Sequence, residues 1–218
     1  MRPAFASALV AAMFVVCSAT FARASAEDDI KASGKAFVEA LFKGDGAAAR
    51  KHAITTEDGG KMVDAMAQMM HGRKELFDAA VAKFGDAGKE ILPGQMFART
   101  PDWDAQLKDA KIDVMGDTAT VTTAKNQTRP AKFKKEEGRW KLDLTDTFKQ
   151  PEQARNPASG AAGLEKFGKV MSETAGEIKD GKYASVQEAR TAMFQKMGAV
   201  FGRGRGARPG QQGGGGNQ

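Results

Sequence analysis

The sequence predicts an α+β fold, in which helices pack in a curved antiparallel sheet and a C-terminal αα-hairpin follows. Apolar residues recur at helical spacing over residues 30–84, alternate with polar residues over 110–144, and return to helical spacing after 160. Helices followed by antiparallel strands with one apolar face bury that face by packing the sheet on the helices. The composition, 41% hydrophobic and 28% charged, is that of an ordinary globular protein.

Residues 1–26 have the features of a secretory signal peptide. Arg2 supplies a positive charge, residues 4–19 are uncharged and mostly apolar or small, and Ala24-Ser25-Ala26 is a small-x-small cleavage site. The apolar run is shorter than the roughly 20 residues that span a bilayer. We therefore expect cleavage after Ala26 and a periplasmic or extracellular protein with no membrane span.

Cleavage would change the chemistry of the chain. Cys17 is the only cysteine, so the mature protein would have none, which excludes disulfides, thiolate metal sites and a cysteine nucleophile. Loss of Arg2 and Arg23 would lower the formal net charge from +6 to +4.

The first block of the mature chain is predicted to form three helices. The first has an apolar stripe and ends at Gly44. The second begins at the capping signal Thr55-Thr56-Glu57-Asp58 and carries a methionine-rich stripe. The third ends at Gly85. The three stripes consist of Ile30, Phe37, Val38, Leu41 and Phe42; Met62, Val63, Met66, Met69 and Met70; and Leu76, Phe77, Ala80, Val81 and Phe84.

Two hairpins are predicted next, with turns at Gly116-Asp117 and at Glu136-Glu137-Gly138. One face of these strands is apolar and should point inward. Its residues are Ile112, Val114, Val121, Phe133, Trp140, Leu142 and Leu144. Together with the helices they define a domain over residues 27–148.

The C-terminal part divides into a linker, a helical hairpin and a tail. Residues 149–160 contain Pro151 and Pro157 and read as a linker. Two amphipathic helices over 161–201, separated by Gly181, are too short to be stable alone, so we expect them to dock on the preceding domain. Their stripes are Leu164, Phe167, Met171, Thr174 and Ile178, and Ala189, Met193, Met197 and Val200, the second helix beginning at the capping box of Ser185 and Glu188. Residues 202–218 are rich in glycine and predicted to be disordered.

Three segments resemble the nuclear-transport-factor-2-like (SnoaL-like, cystatin-type cone) superfamily: FVEALFKGD at 37–45, VMGDTATV at 114–121 and FKKEEGRWKLD at 133–143. The resemblance covers about 120 residues and implies a curved sheet enfolding a long helix, with a ligand often held at the mouth of the cone. Members of the superfamily include isomerases, dehydratases and small-molecule binders. A shared fold leaves the function open.

The catalytic groups of the superfamily's isomerases are not evident in this chain. Those enzymes use an acid/base carboxylate opposite a tyrosine and a protonated carboxylic acid. The only tyrosine, Tyr183, lies outside the predicted domain, and the inward strand positions carry no carboxylate. Asp102 and Asp104 flank Trp103 near the expected cone mouth, although aspartates after a proline are typical of surface turns.

A metal site is also weakly supported. His52 and His71 are the only histidines and lie on different elements. A soft Met/His cluster around Met66, Met69, Met70 and His71 could bind Cu(I), but this spacing is that of a core-packing helix stripe. The arginines of the tail lack interleaved aromatic residues, so we expect no specific nucleic-acid partner. No cofactor is expected.

The sequence therefore favours an exported, non-catalytic binding or interaction module. We expect a small hydrophobic ligand in the cone, and a homodimer through the sheet would fit the single-faced strands. The expected cone-lining residues are Phe37, Met66, Met70, His71 and Trp140. An isomerase or dehydratase of the same fold, or a Met/His metal-binding stress protein, remains the alternative.

Overall fold

A computed structural model describes residues 6–92, 103–124, 130–148 and 160–201. The predicted linker up to residue 159, the predicted tail and Asp102 lie outside the described residues. The fold is α+β, as predicted. Its elements are α1 (Ala6–Lys43), α2 (Gly46–Lys51), β1 (Ala53–Ile54), α3 (Glu57–Phe84), a 3₁₀ helix (Gly85–Glu90), α4 (Trp103–Lys108), β2 (Lys111–Met115), β3 (Thr118–Thr122), β4 (Ala131–Glu136), β5 (Arg139–Asp143), α5 (Ala161–Lys179) and α6 (Val186–Val200).

The described strands form one open sheet in the order β1-β5-β4-β3-β2. Strands β2 to β5 are antiparallel neighbours, as the two predicted hairpins require. The expectation of a wholly antiparallel sheet is wrong, because β1 runs parallel to β5 and pairs Ala53 with Leu142. A strand of two residues is too short to show an alternating pattern, so the sequence gives no sign of β1.

The inward face of the sheet is the predicted one. Ile112, Val121, Phe133, Trp140 and Leu144 are buried, while Val114 and Leu142 are half-buried. The second hairpin turns through Glu137 and Gly138, which have φ of 50° and 77°. Two successive residues with positive φ fit the right-handed twist of the flanking strands.

Helix α1 packs against this face and ends as predicted. Gly44 has φ of 77°, and the Asp45 N–H donates to the Ala40 carbonyl at 3.0 Å, which closes the last turn. At its other end α1 continues without a break through the predicted cleavage site after Ala26. None of the described helices is long and apolar enough to cross a membrane.

Helix α3 is a single helix of 28 residues, where the sequence predicts two. Thr56 caps its first turn by accepting a hydrogen bond from the Gly59 N–H at 3.1 Å, as predicted. The helix continues through His71-Gly72-Arg73, between the two predicted stripes. One side of α3 packs on α1 and the other on α5.

Helix α5 crosses α3 at a point where both helices have glycine. A Cβ on Gly72 would lie 2.3 Å from the Gly168 carbonyl oxygen, so only glycine permits this approach. Packing of the two backbones offsets the helix cost of Gly72, about 1 kcal/mol relative to alanine. The continuity of α3 is therefore a tertiary effect.

Helices α5 and α6 complete a core with the C-terminal half of α3 and the 3₁₀ helix. Met171, Thr174 and Ile178 are buried on α5, and Ala189, Met193 and Met197 on α6. Val200 is exposed, although the stripe predicts it to be buried. The predicted capping of α6 is confirmed, because Ser185 Oγ accepts from the Glu188 N–H at 3.2 Å.

Candidate functional site

The structure brings together three of the five residues expected to line the cone. Phe37 of α1 and Met66 and Met70 of α3 belong to one apolar cluster, which Leu144 joins from the end of the sheet. Trp140 lies in a different cluster, with Ile30, Ile112, Ala119, Val121 and Phe133, between the sheet and the middle of α1. The expected lining is thus divided between two places along α1.

His71, the fifth predicted lining residue, lies under the C-terminal turn of α1. A Cβ on Gly44 would be 3.0 Å from the His71 Cβ, so the glycine fits directly over the histidine. Its Nε2 is 3.5 Å from a carboxylate oxygen of Glu75, and the side chain is 45% exposed. Its Nδ1 is buried and makes no hydrogen bond within the described residues.

The methionines of α3 do not form a common cluster with His71. Met66 and Met70 pack toward α1, whereas Met69 packs toward α5. This division is that of a helix with cores on two sides. No group of three or more His, Cys, Asp or Glu side chains that could hold a metal ion occurs in the part of the chain that the structure describes.

One surface cleft lies beside the N-terminus of α3. It has a volume of about 390 Å³ and is lined by Arg50, Thr55, Thr56, Glu57, Gly60, Lys61 and Asp64. Arg50 forms an ion pair with Asp64. Lys61 is paired with Glu57 at 3.0 Å and with Asp58 at 3.3 Å, and the hydrogen bond to Glu57 is the main reason that its pKa is raised. The charges of this cleft therefore neutralise one another.

A second cleft lies between α1 and α4 and differs in its charges. It has a volume of about 310 Å³ and is lined by Lys31, Ala32, Lys35, Leu107 and Lys108. All three ionisable lining residues are lysines, and the other two lining residues, Ala32 and Leu107, are apolar. Lys31 and Lys108 form no ion pair within the described residues. We call these five residues the lysine cleft.

Two residues of the helix between the lysine cleft and the sheet are small. Gly34 lies against the Phe133 ring, whose Cζ would be 3.4 Å from an added Cβ. Ser33 is buried, and its Oγ makes no hydrogen bond within the described part of the chain. An unpartnered buried hydroxyl costs about 1–3 kcal/mol.

The aspartates expected near the cone mouth are only partly placed. Asp104 belongs to α4, the helix that supplies Leu107 and Lys108 to the lysine cleft. Asp102 lies outside the described residues. The lysine cleft therefore adjoins the region in which the sequence predicts the mouth.

Arg73 is a buried charge that the sequence analysis missed. It is 8% exposed, and its guanidinium carbon lies 5.5 Å from the centre of the Phe42 ring, in the range of a cation–π contact. Burial lowers its pKa. Its position four residues after Met69 and three before Leu76 places it on the buried side of α3, and that spacing could have revealed it.

A second charged group holds α5 and α6 together. Glu177 on α5 accepts hydrogen bonds from Lys196 on α6 and from the Tyr183 hydroxyl at 2.6 Å. These contacts, Lys196 first, lower the pKa of Glu177 to about 2. Burial and the bond to Glu177 raise the pKa of Tyr183 to about 12. The only tyrosine thus has a structural hydrogen bond to Glu177.

Comparison of the chain with protein-family models, with curated proteins and with solved structures finds no match in any of the three.

Proposed function

We propose that the protein is an exported, non-catalytic binding module that takes a small ligand with an apolar body and an anionic group in the lysine cleft. The observation that carries the proposal is that Lys31 and Lys108, which form no ion pair within the described residues, line this cleft together with Lys35 and the apolar side chains of Ala32 and Leu107. A carboxylate or phosphate ester with a short hydrocarbon chain matches both features.

The spacing of the lysines favours an anion. Lys31 and Lys35 are four residues apart on α1, so the two lysines lie on the same side of the helix. Lys108 adds a third positive charge from α4. Clefts lined by one sign of charge concentrate ligands of the opposite sign.

The size and openness of the cleft suggest modest affinity. Its volume of about 310 Å³ is near the lower end for small-molecule sites. The lysines are exposed or half-buried, so water and salt weaken their attraction to the ligand. We expect a dissociation constant on the order of 0.1–1 mM for a six-carbon anion, which corresponds to a binding free energy of about 4–5.5 kcal/mol.

The resemblance of three sequence segments to the nuclear-transport-factor-2-like superfamily favours a ligand at this place. We propose that the sheet and α1 form a cone of the nuclear-transport-factor-2-like type, closed on its far side by α5 and α6 as an αα-hairpin. The apolar inward face of the sheet packed on α1 is what such a cone requires. The lysine cleft, beside α4, would then be the binding place near its mouth.

Calorimetry with matched probes tests the ligand class. Hexanoate and hexyl phosphate should bind, hexanol should bind several-fold more weakly, and hexylamine should not bind. Raising the salt concentration should weaken hexanoate but not hexanol. Equal binding of hexanoate and hexylamine would contradict the role of the lysines.

Substitutions test the place of binding. Lys31→Gln and Lys108→Gln should each weaken hexanoate binding about three- to tenfold. Lys134→Gln on β4 is the matched control, because Lys134 is exposed, lies on the sheet and forms no ion pair within the described residues. A loss in the control as large as in the cleft variants would place the site elsewhere.

Export is a separate proposal with its own test. It rests on the apolar segment and the Ala24-Ser25-Ala26 site. N-terminal sequencing of protein recovered from the envelope or medium should begin at Glu27. Recovery of a chain that still carries Met1 would contradict cleavage.

The isomerase or dehydratase alternative needs an acid/base group at the ligand. His71, whose half-exposed ring lies beside Glu75, is the imidazole of the expected cone lining, and such an enzyme could use it. An isomerase or dehydratase activity that is lost in His71→Ala, with the fold intact, would favour the enzyme over the binding module.

A further inference from the structure

Strand β2 forms one edge of the described sheet. It pairs with β3 on one side, and within the described residues no strand covers its other side. An edge strand leaves a row of backbone N–H and C=O groups that can pair with another strand. At five residues, Lys111–Met115, β2 is long enough for such pairing.

The side chains of β2 make this edge unusual. Met115 is 76% exposed and is the most exposed large hydrophobic residue of the described chain. Ala110 and Val114 are only half-buried, at the margin of the cluster between the sheet and α1. On the outer face Lys111 and Asp113 lie two residues apart, and their charged atoms are 3.1 Å from each other. The edge thus combines uncovered apolar groups with charges of both signs.

We propose that two copies of this chain pair through β2, antiparallel to each other, about a two-fold axis at Ile112. Lys111 of each copy would then lie opposite Asp113 of the other, which gives two reciprocal ion pairs on the outer face. Ala110 of each copy would lie opposite Val114 of the other on the inner face. Two five-stranded sheets would join into one of ten strands.

Charge selects this register. Residues that face each other across two strands of a continuous sheet must point to the same face, so the axis can move only by whole residues. An axis at Asp113 would place two aspartates opposite each other, which is unfavourable. Only the axis at Ile112 pairs Lys111 with Asp113.

The two edges of the sheet favour a closed dimer over a fibre. The other edge is β1, which has two residues, Ala53–Ile54, and is joined closely to α2 and α3 on either side. It offers little backbone for a further strand. A two-fold contact uses the same edge of both copies and leaves no second long edge, so assembly stops at two.

Sedimentation velocity of the protein, purified in the form that its host produces, tests the dimer. We expect a dimer at micromolar concentration. Lys111→Asp and Asp113→Lys should each weaken dimerisation at least about tenfold, because each places like charges opposite each other. The double variant, with both substitutions, should recover most of the dimer, because the reciprocal pairs are restored with exchanged sign.

Two controls keep the result interpretable. Lys169→Asp reverses a charge in the exposed pair with Glu173 on α5 and should leave the dimer unchanged. Thermal melts of each variant should show that the fold is retained. A wild-type protein that is monomeric at millimolar concentration would overturn the proposal. A dimer that survives both single reversals, or that the double variant does not restore, would also overturn it.

Discussion

Helix α3 separates two sides of the molecule. On its sheet side, formed by α1, α2 and the sheet, large side chains such as Phe37, Leu41 and Val63 fill the space between the elements. On its helix side, formed by α5, α6 and the 3₁₀ helix, two glycines bring the backbones of α3 and α5 into contact. The first kind of packing can adjust by rotating side chains, whereas the second cannot. The two sides therefore differ in how much change they tolerate.

The two sides of α3 also differ in whether their polar groups are hydrogen-bonded. On the helix side, Thr174 Oγ1 donates to the Val170 carbonyl at 2.8 Å, and Glu177 is bonded by Lys196 and Tyr183. On the sheet side, Ser33 Oγ and His71 Nδ1 make no hydrogen bond within the described residues. Buried polar groups without a partner are uncommon in native proteins, and their position is one reason to look for function on the sheet side. Under the proposed function the sheet side is the binding side and the helix side is the scaffold.

The largest expected effect is on the sheet side. Trp140→Ala should lower the free energy of unfolding by about 3–5 kcal/mol, because Trp140 is 5% exposed in the core between sheet and α1. The matched control is Lys141→Ala, whose side chain points to the opposite face and is paired with Glu136 at 2.6 Å. It should cost below about 1 kcal/mol. Equal losses in denaturant melts would contradict the register of β5.

The helix side should respond to a single methyl group. Gly72→Ala should lower the free energy of unfolding by about 3 kcal/mol, because the added Cβ meets the Gly168 backbone and neither helix can yield. Gly176→Ala on α5, where nothing lies within 4 Å of the added Cβ, should stabilise the protein by about 0.5–1 kcal/mol. Similar effects of the two substitutions, measured by chemical unfolding, would refute the close crossing of α3 and α5.

A smaller effect should depend on pH. Glu177→Gln should cost about 1–2 kcal/mol at pH 7, since it weakens charged hydrogen bonds to Lys196 and Tyr183. The folded pKa of Glu177, about 2, is below the ordinary 4.5, so this stabilisation is present above pH 4.5 and is lost as the pH falls toward 2. Unfolding curves of wild type and variant should therefore converge in acid. A difference that grows below pH 4 would contradict the ion pair.

The smallest effect concerns the same network at high pH. Tyr183→Phe should cost about 1 kcal/mol. Because the folded pKa of Tyr183 is raised from 10 to about 12, its contribution is complete below pH 10 and is lost as the pH rises toward 12. Absorbance titration of the phenol checks this directly. A tyrosine that ionises near pH 10 in the folded protein would show that the bond to Glu177 is absent.

Local signals in the sequence predict most of the fold. The stop of α1 at Gly44, the cap of α3 at Thr56 and the alternation around Trp140 each depend on neighbouring residues alone, and each is confirmed. The sequence fails where distant residues decide. The sequence predicts two helices where α3 is continuous, because the packing of Gly72 on Gly168 is a contact between distant residues. Likewise, β1 exists only because β5 lies beside it.

The candidate site also divides into residues that local sequence signals predict and residues that only the fold brings together. Of the apolar residues expected to line a cone, Phe37 and Trp140 are buried in the core, and Met66 and Met70 are half-buried and pack against it, as their helical or alternating spacing predicts. The lysine cleft could not be predicted, because Lys31 and Lys35 look like ordinary surface residues of α1. Only the placement of the short helix α4 brings Lys108 to them.

Amide chemical-shift mapping during a hexanoate titration tests most directly whether function lies on the sheet side. Our account predicts that the largest shifts fall on α1 around residues 31–35 and on α4, with smaller shifts in the adjoining sheet and none beyond error in α5 and α6. Shifts concentrated in α5 and α6 would contradict the division of the molecule into a scaffold side and a binding side.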